Sequence, residues 1–163
     1  MIKVKGFKFS GISSGLKKSG KKDLGLIFSE TTCNAHAIFT KNKVLAAPVI
    51  IGKELIKKNS IQSIVVNSGS ANACTGKRGI TATNKILAEL AFQTNLKIHN
   101  FFPSSTGVIG SQLDYKLINK NIGKLLGSLK EDSSEDFAKA IITTDKYLKI
   151  SYKKLKIGSS TYN

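Results

Sequence analysis

Hydrophobic and polar residues alternate in short stretches over the first sixty residues, a pattern typical of β-strands. Glycine and serine separate these stretches, as expected for turns. The predicted elements are strands at Lys3–Phe9, Leu24–Ser29, Ala35–Phe39 and Ala47–Ile51, a turn at Gly11–Gly15 and a short helix at Lys53–Lys58.

The middle of the chain combines strand and helix patterns. A β-branched run at Ser63–Val66 predicts a strand, and Lys97–Phe101 is strand-like. Between them, Thr81–Thr94 is the clearest helix, because its apolar residues recur three and four positions apart. The residues expected on its buried face are Ile86, Leu87, Leu90 and Ala91.

Two further helices and a hairpin are predicted in the last fifty residues. Tyr115–Leu126 is amphipathic, and another helix begins at Ser133 or Ser134, whose hydroxyl groups suit a helix N-cap. Alternation in Lys146–Ile150 and Tyr152–Ile157 predicts a hairpin. With no linker and no repeat, residues 1–163 are expected to form one domain of the α/β or α+β class.

Composition indicates a folded, non-membrane protein. Hydrophobic residues make up 40% of the 163 residues and charged residues 22%, and no apolar run approaches the length of a membrane span. The N-terminal segment lacks the apolar stretch of a signal peptide, so a cytoplasmic protein is expected. Cys33 and Cys74 are interpreted as free thiols. Because His36 and His99 are isolated as well, no metal site is expected.

The formal charge of +16 raises the question of nucleic-acid binding. Nearly all of that charge is lysine, with Arg78 as the single arginine. Arginine forms bidentate hydrogen bonds with phosphates and guanine edges, whereas lysine is a strongly hydrated point charge. We therefore expect no specific nucleic-acid partner, and only weak, nonspecific polyanion binding.

Two loops rich in small polar residues follow strand-like runs. They are Asn67–Gly76 (NSGSANACTG) and Phe102–Gly110 (FPSSTGVIG). Such segments let a backbone approach a ligand closely and present N–H groups to an anion or oxyanion. They are equally compatible with ordinary turns before a helix. Their glycine spacing matches neither a P-loop nor a dinucleotide fingerprint.

Five segments in the same order resemble the ornithine acetyltransferase family, the bifunctional glutamate N-acetyltransferases of arginine biosynthesis. Together they cover most of the chain, and their order makes the resemblance specific. The segments are GLKKSGKKDLGLI (Gly15–Ile27), FTKNKVLAAPV (Phe39–Val49), VVNSGSANACTGKRG (Val65–Gly79), SSTGVIG (Ser104–Gly110) and AIITTD (Ala140–Asp145).

The resemblance implies a layered αββα sandwich with sheets built from two chains, of which residues 1–163 are the N-terminal, alpha-chain-like portion. It also implies acetyl transfer from N-acetylornithine to glutamate. Some members use acetyl-CoA as well, as a substrate, and no cofactor is expected. The precursor cuts itself before a threonine, whose hydroxyl then carries the acetyl group, activated by a nearby base.

Residue roles carry over by matching motifs. Thr106 (hydroxyl) and Gly107 (backbone N–H) are expected to form the oxyanion hole. Thr143 or Thr144 is expected to bind substrate, with Thr143 favoured and Asp145 as a supporting residue. Four residues of the other loop are expected to support the site structurally: Asn67, Ser68, Gly69 and Asn72.

The chain departs from the family pattern at its end. After Ile157 it contains only GSSTYN, so the family's K-G-x-G-M segment, with its substrate-binding lysine and nucleophilic threonine, is expected to be absent. Three alternatives explain this departure. A separate beta-chain-like polypeptide supplies the missing segment, the chain is a truncated and inactive product, or the same scaffold has a binding role. We expect residues 1–163 alone to be inactive, and poorly soluble or oligomeric, and we expect a hetero-oligomer if a partner chain exists.

Overall fold

Strands from the first two thirds of the chain form a mixed sheet in the order β1-β2-β3-β4. β1 pairs antiparallel with β2 and β2 with β3, whereas β3 and β4 are parallel. The computed structural model describes residues 3–162, and within that range this is the one four-stranded sheet. Its strands are β1 Phe7–Ile12, β2 Leu24–Cys33, β3 Ile61–Ser70 and β4 Phe101–Val108.

Helices connect or follow these strands, and a small hairpin lies at the end of the described chain. The helices are α1 Ala47–Ile56, α2 Gly76–Thr94, a 3₁₀ helix at Ile98–Asn100, α3 Tyr115–Gly127 and α4 Ser134–Ile141. The hairpin pairs β5 Leu155–Ile157 with β6 Ser160–Tyr162. The predicted mixed α/β class is therefore confirmed. None of the helices in residues 3–162 is long and apolar enough to cross a membrane.

The hydrophobic core lies between one face of the sheet and helices α2 and α3. Alternate strand residues such as Leu24, Leu26 and Val65 point to this face and join one buried cluster with both helices. The predicted apolar face of α2 is buried as expected, and α3 contributes three buried aliphatic side chains. The helical members are Ile86, Leu87, Leu90 and Ala91 from α2 and Ile118, Ile122 and Leu125 from α3.

Helix α4 packs on the opposite face of the sheet, where glycine allows close approach. A Cβ on Gly25 of β2 would lie 2.9 Å from the Phe137 ring, and one on Gly11 of β1 would overlap the carbonyl group of Asp136. The absence of side chains at these two positions brings the C-terminal end of α4 next to the end of β3.

Several predicted elements are wrong in type or position. Ala47–Ile51 begins a helix rather than a strand, because Pro48 occupies the first turn, where its missing N–H costs nothing. Residues 35–39 form no strand, and β1 runs into the predicted turn as far as Ile12. The tail hairpin pairs shorter strands that lie later in the chain than expected.

Candidate functional site

The two small-residue motifs lie side by side in the sheet. The segments expected as loops continue as strand, and parallel pairing sets Asn67 opposite Ser105, Ser68 opposite Thr106 and Gly69 opposite Gly107. The strands continue because each segment gives the other a partner for its backbone hydrogen-bonding groups, which a single sequence segment does not reveal. The expected oxyanion residues and three of the four expected support residues thus form one neighbourhood.

Gly107 is in close backbone contact with β3. Its φ of +130° lies in the region that favours glycine. A Cβ at this position would lie 2.4 Å from the carbonyl carbon of Gly69 and 2.7 Å from the Ser70 nitrogen. Gly107 is exposed and its neighbour Thr106 is half-buried, so this strand end is accessible to a ligand.

Asn67 links the ends of β3 and β4 through its side-chain amide. Its Nδ2 donates to the Ser70 carbonyl at 2.8 Å, and its Oδ1 accepts from the Ser105 hydroxyl at 2.6 Å. Asn67 is buried, so these bonds are shielded from competing water. The residue therefore fixes the geometry of the strand that carries Thr106.

Asn72 anchors the loop that follows β3. It adopts the left-handed conformation, with a φ of +48°, and is fully buried. Its Nδ2 donates to the Gly79 carbonyl and to the Thr83 hydroxyl, while its Oδ1 accepts from the Thr75 hydroxyl at 2.8 Å. These contacts tie the loop to the first turns of α2.

Ser68 connects β3 to the last turn of α4. Its buried hydroxyl donates to the Ala140 carbonyl at 2.5 Å. Thr143, Thr144 and Asp145 follow that turn directly and are exposed. The segment expected to bind substrate is thus attached to the strand whose end faces Gly107.

A cavity of about 410 Å³ lies beside this segment. Thr143 and Asp145 line it, whereas Thr144 is exposed outside that lining. The wall also contains four lysines; Lys22 is paired with Asp136 and Lys139 with Glu135, so the positive charge available to an anionic group comes mainly from the other two. The four lysines are Lys17, Lys21, Lys22 and Lys139.

Lys17 joins the cavity wall to the Thr143 segment. Its Nζ donates to the Ile142 carbonyl at 2.7 Å and to the Lys22 carbonyl at 3.0 Å. Burial lowers the pKa of Lys17 below its ordinary value; the charge of Asp23 opposes this shift and that of Lys21 adds to it. Sequence reasoning assigned no role to Lys17.

Asp23 folds the loop that presents Lys17. Its fully buried carboxylate accepts from the Ser14 backbone N–H at 2.6 Å, the Ser14 hydroxyl at 2.8 Å and the Lys17 backbone N–H at 2.9 Å. This residue was also missed. The signal available in the sequence was a lone acidic residue in a run of lysines, directly before a buried strand.

Asp145 is held by a contact on its own segment. Lys149 Nζ donates to its carboxylate at 2.5 Å, and this hydrogen bond, followed by the lysine charge, lowers the pKa of Asp145 below its ordinary value of 3.8.

Among residues 3–162, no group of three or more His, Cys, Asp or Glu residues is arranged to hold a metal ion. Cys33 and Cys74 are free thiols.

Known proteins share this sequence and fold. Arginine biosynthesis bifunctional protein ArgJ 2 of Clostridium acetobutylicum is 49% identical over 157 residues, which make up 96% of this chain and 40% of that protein. The ArgJ protein of Thermotoga neapolitana is 42% identical over 159 residues, with the same shares covered. This chain therefore spans about 40% of the length of these relatives.

Two crystal structures match the fold. Arginine biosynthesis bifunctional protein ArgJ from Bacillus halodurans matches with a TM-score of 0.87 and 35% identity, covering 98% of this chain and 83% of that chain. Ornithine acetyltransferase from Mycobacterium tuberculosis, solved in complex with ornithine, matches with a TM-score of 0.81 and 30% identity, covering 88% and 79%.

The resemblance found in the sequence motifs is confirmed by these matches. The ArgJ family model matches residues 8–163, nearly the whole chain. Sequence identity and fold similarity extend over the same residues, so the match does not depend on a single motif. The chain belongs to the ArgJ family.

Proposed function

We propose that this chain forms the oxyanion-binding part and one side of the substrate site of an acetyltransferase of arginine biosynthesis. The reaction is acetyl transfer from N-acetylornithine to glutamate, with acetyl-CoA as an additional acyl donor. The observation that carries the proposal is the strand end at Thr106 and Gly107, which is accessible and held rigidly by β3. Family membership supports the choice of reaction.

Acyl transfer passes through a tetrahedral intermediate with a negatively charged oxygen. Stabilising that oxygen requires hydrogen-bond donors that are already in position, because donors that must reorganise stabilise it less. In this proposal the Thr106 hydroxyl and the Gly107 N–H are the donors. The Asn67 hydrogen bonds and the Gly69 contact supply the rigidity.

The Thr143 segment would contact substrate beside this strand end. Both proposed amino-acid substrates carry carboxylates, and the lysine-rich cavity next to Thr143 and Asp145 is suited to such anions. A threonine hydroxyl both donates and accepts hydrogen bonds, so Thr143 can orient either a carboxylate or an ammonium group. The proposal involves no cofactor.

The nucleophile in this proposal comes from outside residues 1–163. The relatives are about two and a half times as long as the matched region, and the family resemblance implies a threonine nucleophile in a segment that these 163 residues do not contain. Residues 1–163 by themselves would then provide the oxyanion hole for the tetrahedral intermediate but could not form that intermediate. An assembled enzyme would join this portion to the nucleophile-bearing portion.

A complementation assay tests this division of the site. Residues 1–163 are incubated with N-acetylornithine and labelled glutamate, alone and together with the remainder of the Clostridium acetobutylicum relative. We expect no transfer by residues 1–163 alone and measurable transfer by the combination. Transfer by residues 1–163 alone would contradict the division of the site.

A binding role without catalysis gives a different result in the same assay. The 26 Lys and Arg residues then cause retention on heparin, and the combination with the relative's remainder shows no transfer. Heparin retention together with transfer would mean only that the surface is basic. The presence or absence of transfer by the combination separates the two functions.

A further inference from the structure

We propose that Lys17 is a positioning residue that holds the Thr143–Asp145 segment at a fixed distance from the strand end at Gly69 and Gly107. The proposal concerns the same site and rests on the proposed function. It gives a role to a lysine that would otherwise be one of many on a basic surface.

The ammonium group of Lys17 bridges two distant parts of the chain. It donates to the carbonyl of Ile142, 125 positions away and directly before Thr143, and to the carbonyl of Lys22 on its own loop. Hydrogen bonds from a charged donor are stronger than those between neutral groups. Lys17 therefore fixes the backbone one residue before the expected substrate-binding threonine.

The aliphatic part of the same side chain lies beside the end of β3. A Cβ built on Gly69 would lie 3.5 Å from Lys17 Cγ and 3.5 Å from the Leu16 carbonyl oxygen, so the Lys17 side chain passes the side of Gly69 on which a side chain would stand. Gly69 in turn faces Gly107 across the parallel strands. The Lys17 side chain thus runs from beside Gly69, the partner of Gly107, to the carbonyl group of the residue before Thr143.

The backbone that carries Lys17 is itself fixed. Its N–H donates to the buried Asp23 carboxylate, and the backbone carbonyl of Asp23 accepts from the Ser68 N–H at 2.8 Å. The base of the Lys17 side chain is therefore tied, through Asp23, to the same strand end beside which it lies. Because the backbone of Lys17 is fixed, its ammonium group can hold the Ile142 carbonyl at a constant distance from the end of β3.

The Ser68–Ala140 hydrogen bond does not replace this contact. It holds the last turn of α4, which ends at Ile141, whereas residues 142–150 of the described chain adopt no helix or strand. The segment with Thr143 therefore extends from a fixed helix end without a regular hydrogen-bonding pattern of its own. Lys17 binds the Ile142 carbonyl, which is where the segment without regular hydrogen bonding begins.

The experiment compares three variants of residues 1–163 by backbone ¹⁵N relaxation, each made with Val108→Ser and Ile109→Ser, which remove exposed apolar surface next to the strand end and favour the monomer. Lys17→Met removes the donors and keeps the aliphatic chain, Lys17→Arg keeps charge and donors, and Lys18→Met removes one charge at the exposed neighbouring position. We expect the order parameters of Thr143 and Asp145 to fall from about 0.85 to below about 0.6 in Lys17→Met. They stay high in Lys18→Met and recover in Lys17→Arg.

Binding of N-acetylornithine to residues 1–163 assembled with the remainder of the Clostridium acetobutylicum relative, measured by isothermal titration calorimetry, supplies the second readout. Lys17→Met weakens it about tenfold relative to the parent chain, and Lys18→Met leaves it unchanged. Lys17→Gln repeats the test if Lys17→Met does not fold. Loss of folding in both would assign Lys17 to the fold as a whole and overturn the positioning role.

Two further outcomes separate the two proposals. Unchanged order parameters in a folded Lys17→Met overturn the positioning role. If the order parameters respond as expected but the parent chain, assembled with the remainder of the Clostridium acetobutylicum relative, neither binds N-acetylornithine nor transfers its acetyl group, the positioning contact stands and the proposed function is overturned.

Discussion

Gly69 and Gly107 face each other across the parallel strands β3 and β4, with backbones so close that a Cβ on Gly107 would lie 2.4 Å from the Gly69 carbonyl carbon. Strand side chains ordinarily stand clear of the neighbouring backbone. Here the chain at Gly107 is turned by a φ of +130°, which directs the missing Cβ toward β3. The contact makes glycine a requirement at position 107 for steric as well as conformational reasons.

Gly107→Ala is expected to lower the free energy of unfolding by about 3 kcal/mol or more. The unfavourable φ contributes about 1–3 kcal/mol, and the overlap with the β3 backbone adds to it because backbone cannot move aside cheaply. Urea unfolding followed by circular dichroism measures the change. Gly110→Ala is the matched control, since Gly110 has a φ of +82° but nothing within 4 Å of its Cβ position.

The control separates conformational strain from steric overlap. Gly110→Ala carries the strain alone and is expected to cost about 1–2 kcal/mol. Equal losses for the two variants would mean that the Gly69 contact has no energetic consequence, contrary to the structure.

Asn72 offers a second test of what stabilises the site. Asn72→Gly removes its three side-chain hydrogen bonds and is expected to cost about 1–3 kcal/mol. Asn72→Ala is expected to cost about 1 kcal/mol more, because alanine also resists the φ of +48°. Urea unfolding compares the two variants. If alanine is the more stable replacement, the left-handed conformation is not a constraint at this position.

Thr106 is the residue whose replacement tests catalysis most directly. In protein assembled with a nucleophile-bearing portion, Thr106→Val is expected to lower kcat by about 10²–10³-fold, since it removes one donor to the oxyanion and keeps the side-chain shape. Ser104→Ala, on the same strand and exposed, is the control and is expected to leave kcat unchanged. A change in KM with unaltered kcat would assign Thr106 to substrate binding instead.

Sequence patterns predicted some elements of this fold well because the responsible interactions are local. The buried face of α2 follows from aliphatic residues spaced at three and four positions, and that spacing is set within the helix itself. The prediction of a strand at Ala47–Ile51 was wrong because a short apolar run has no periodicity that distinguishes a strand from a helix. The informative residue was Pro48, which is typical of a first helical turn.

In the candidate site, too, the sequence indicated individual residues but not the long-range contacts between them. Motif resemblance led us to expect Thr106, Gly107 and Thr143 in the site, but it did not indicate that Gly69 lies against Gly107. That contact depends on parallel pairing between strands separated by a helix, and such pairing leaves no local pattern. The contact between Lys17 and Ile142 joins residues 125 positions apart and was equally invisible.

The pKa of Asp145 leads to a prediction about acidic conditions. Because the hydrogen bond from Lys149 lowers the folded-state pKa below 3.8, the stabilisation from this pair is complete above pH 3.8 and is lost as the pH falls through the lower, folded-state value. A ¹³C NMR titration of the Asp145 carboxyl measures that pKa directly. Lys149→Gln is expected to return it toward 3.8, and an unchanged pKa in that variant would exclude Lys149 as the cause.

Apolar side chains exposed around the site predict self-association of residues 1–163. Val108 and Ile109, directly after Gly107, are 64% and 68% exposed, and Ile64 is exposed on the sheet face opposite the core. Exposed apolar surface of this kind favours association in water. Size-exclusion chromatography at micromolar concentration is expected to show oligomers, and the dye ANS is expected to bind.

Replacing the residues nearest the site tests where this association occurs. The double variant Val108→Ser with Ile109→Ser is expected to shift the elution toward the monomer, because it removes apolar surface next to the strand end. Phe92→Ser is the matched control, since Phe92 is 84% exposed on α2, away from that strand end. A compact, ANS-negative monomer in the parent chain would show that the lysine-rich surface keeps residues 1–163 apart despite this exposed apolar surface.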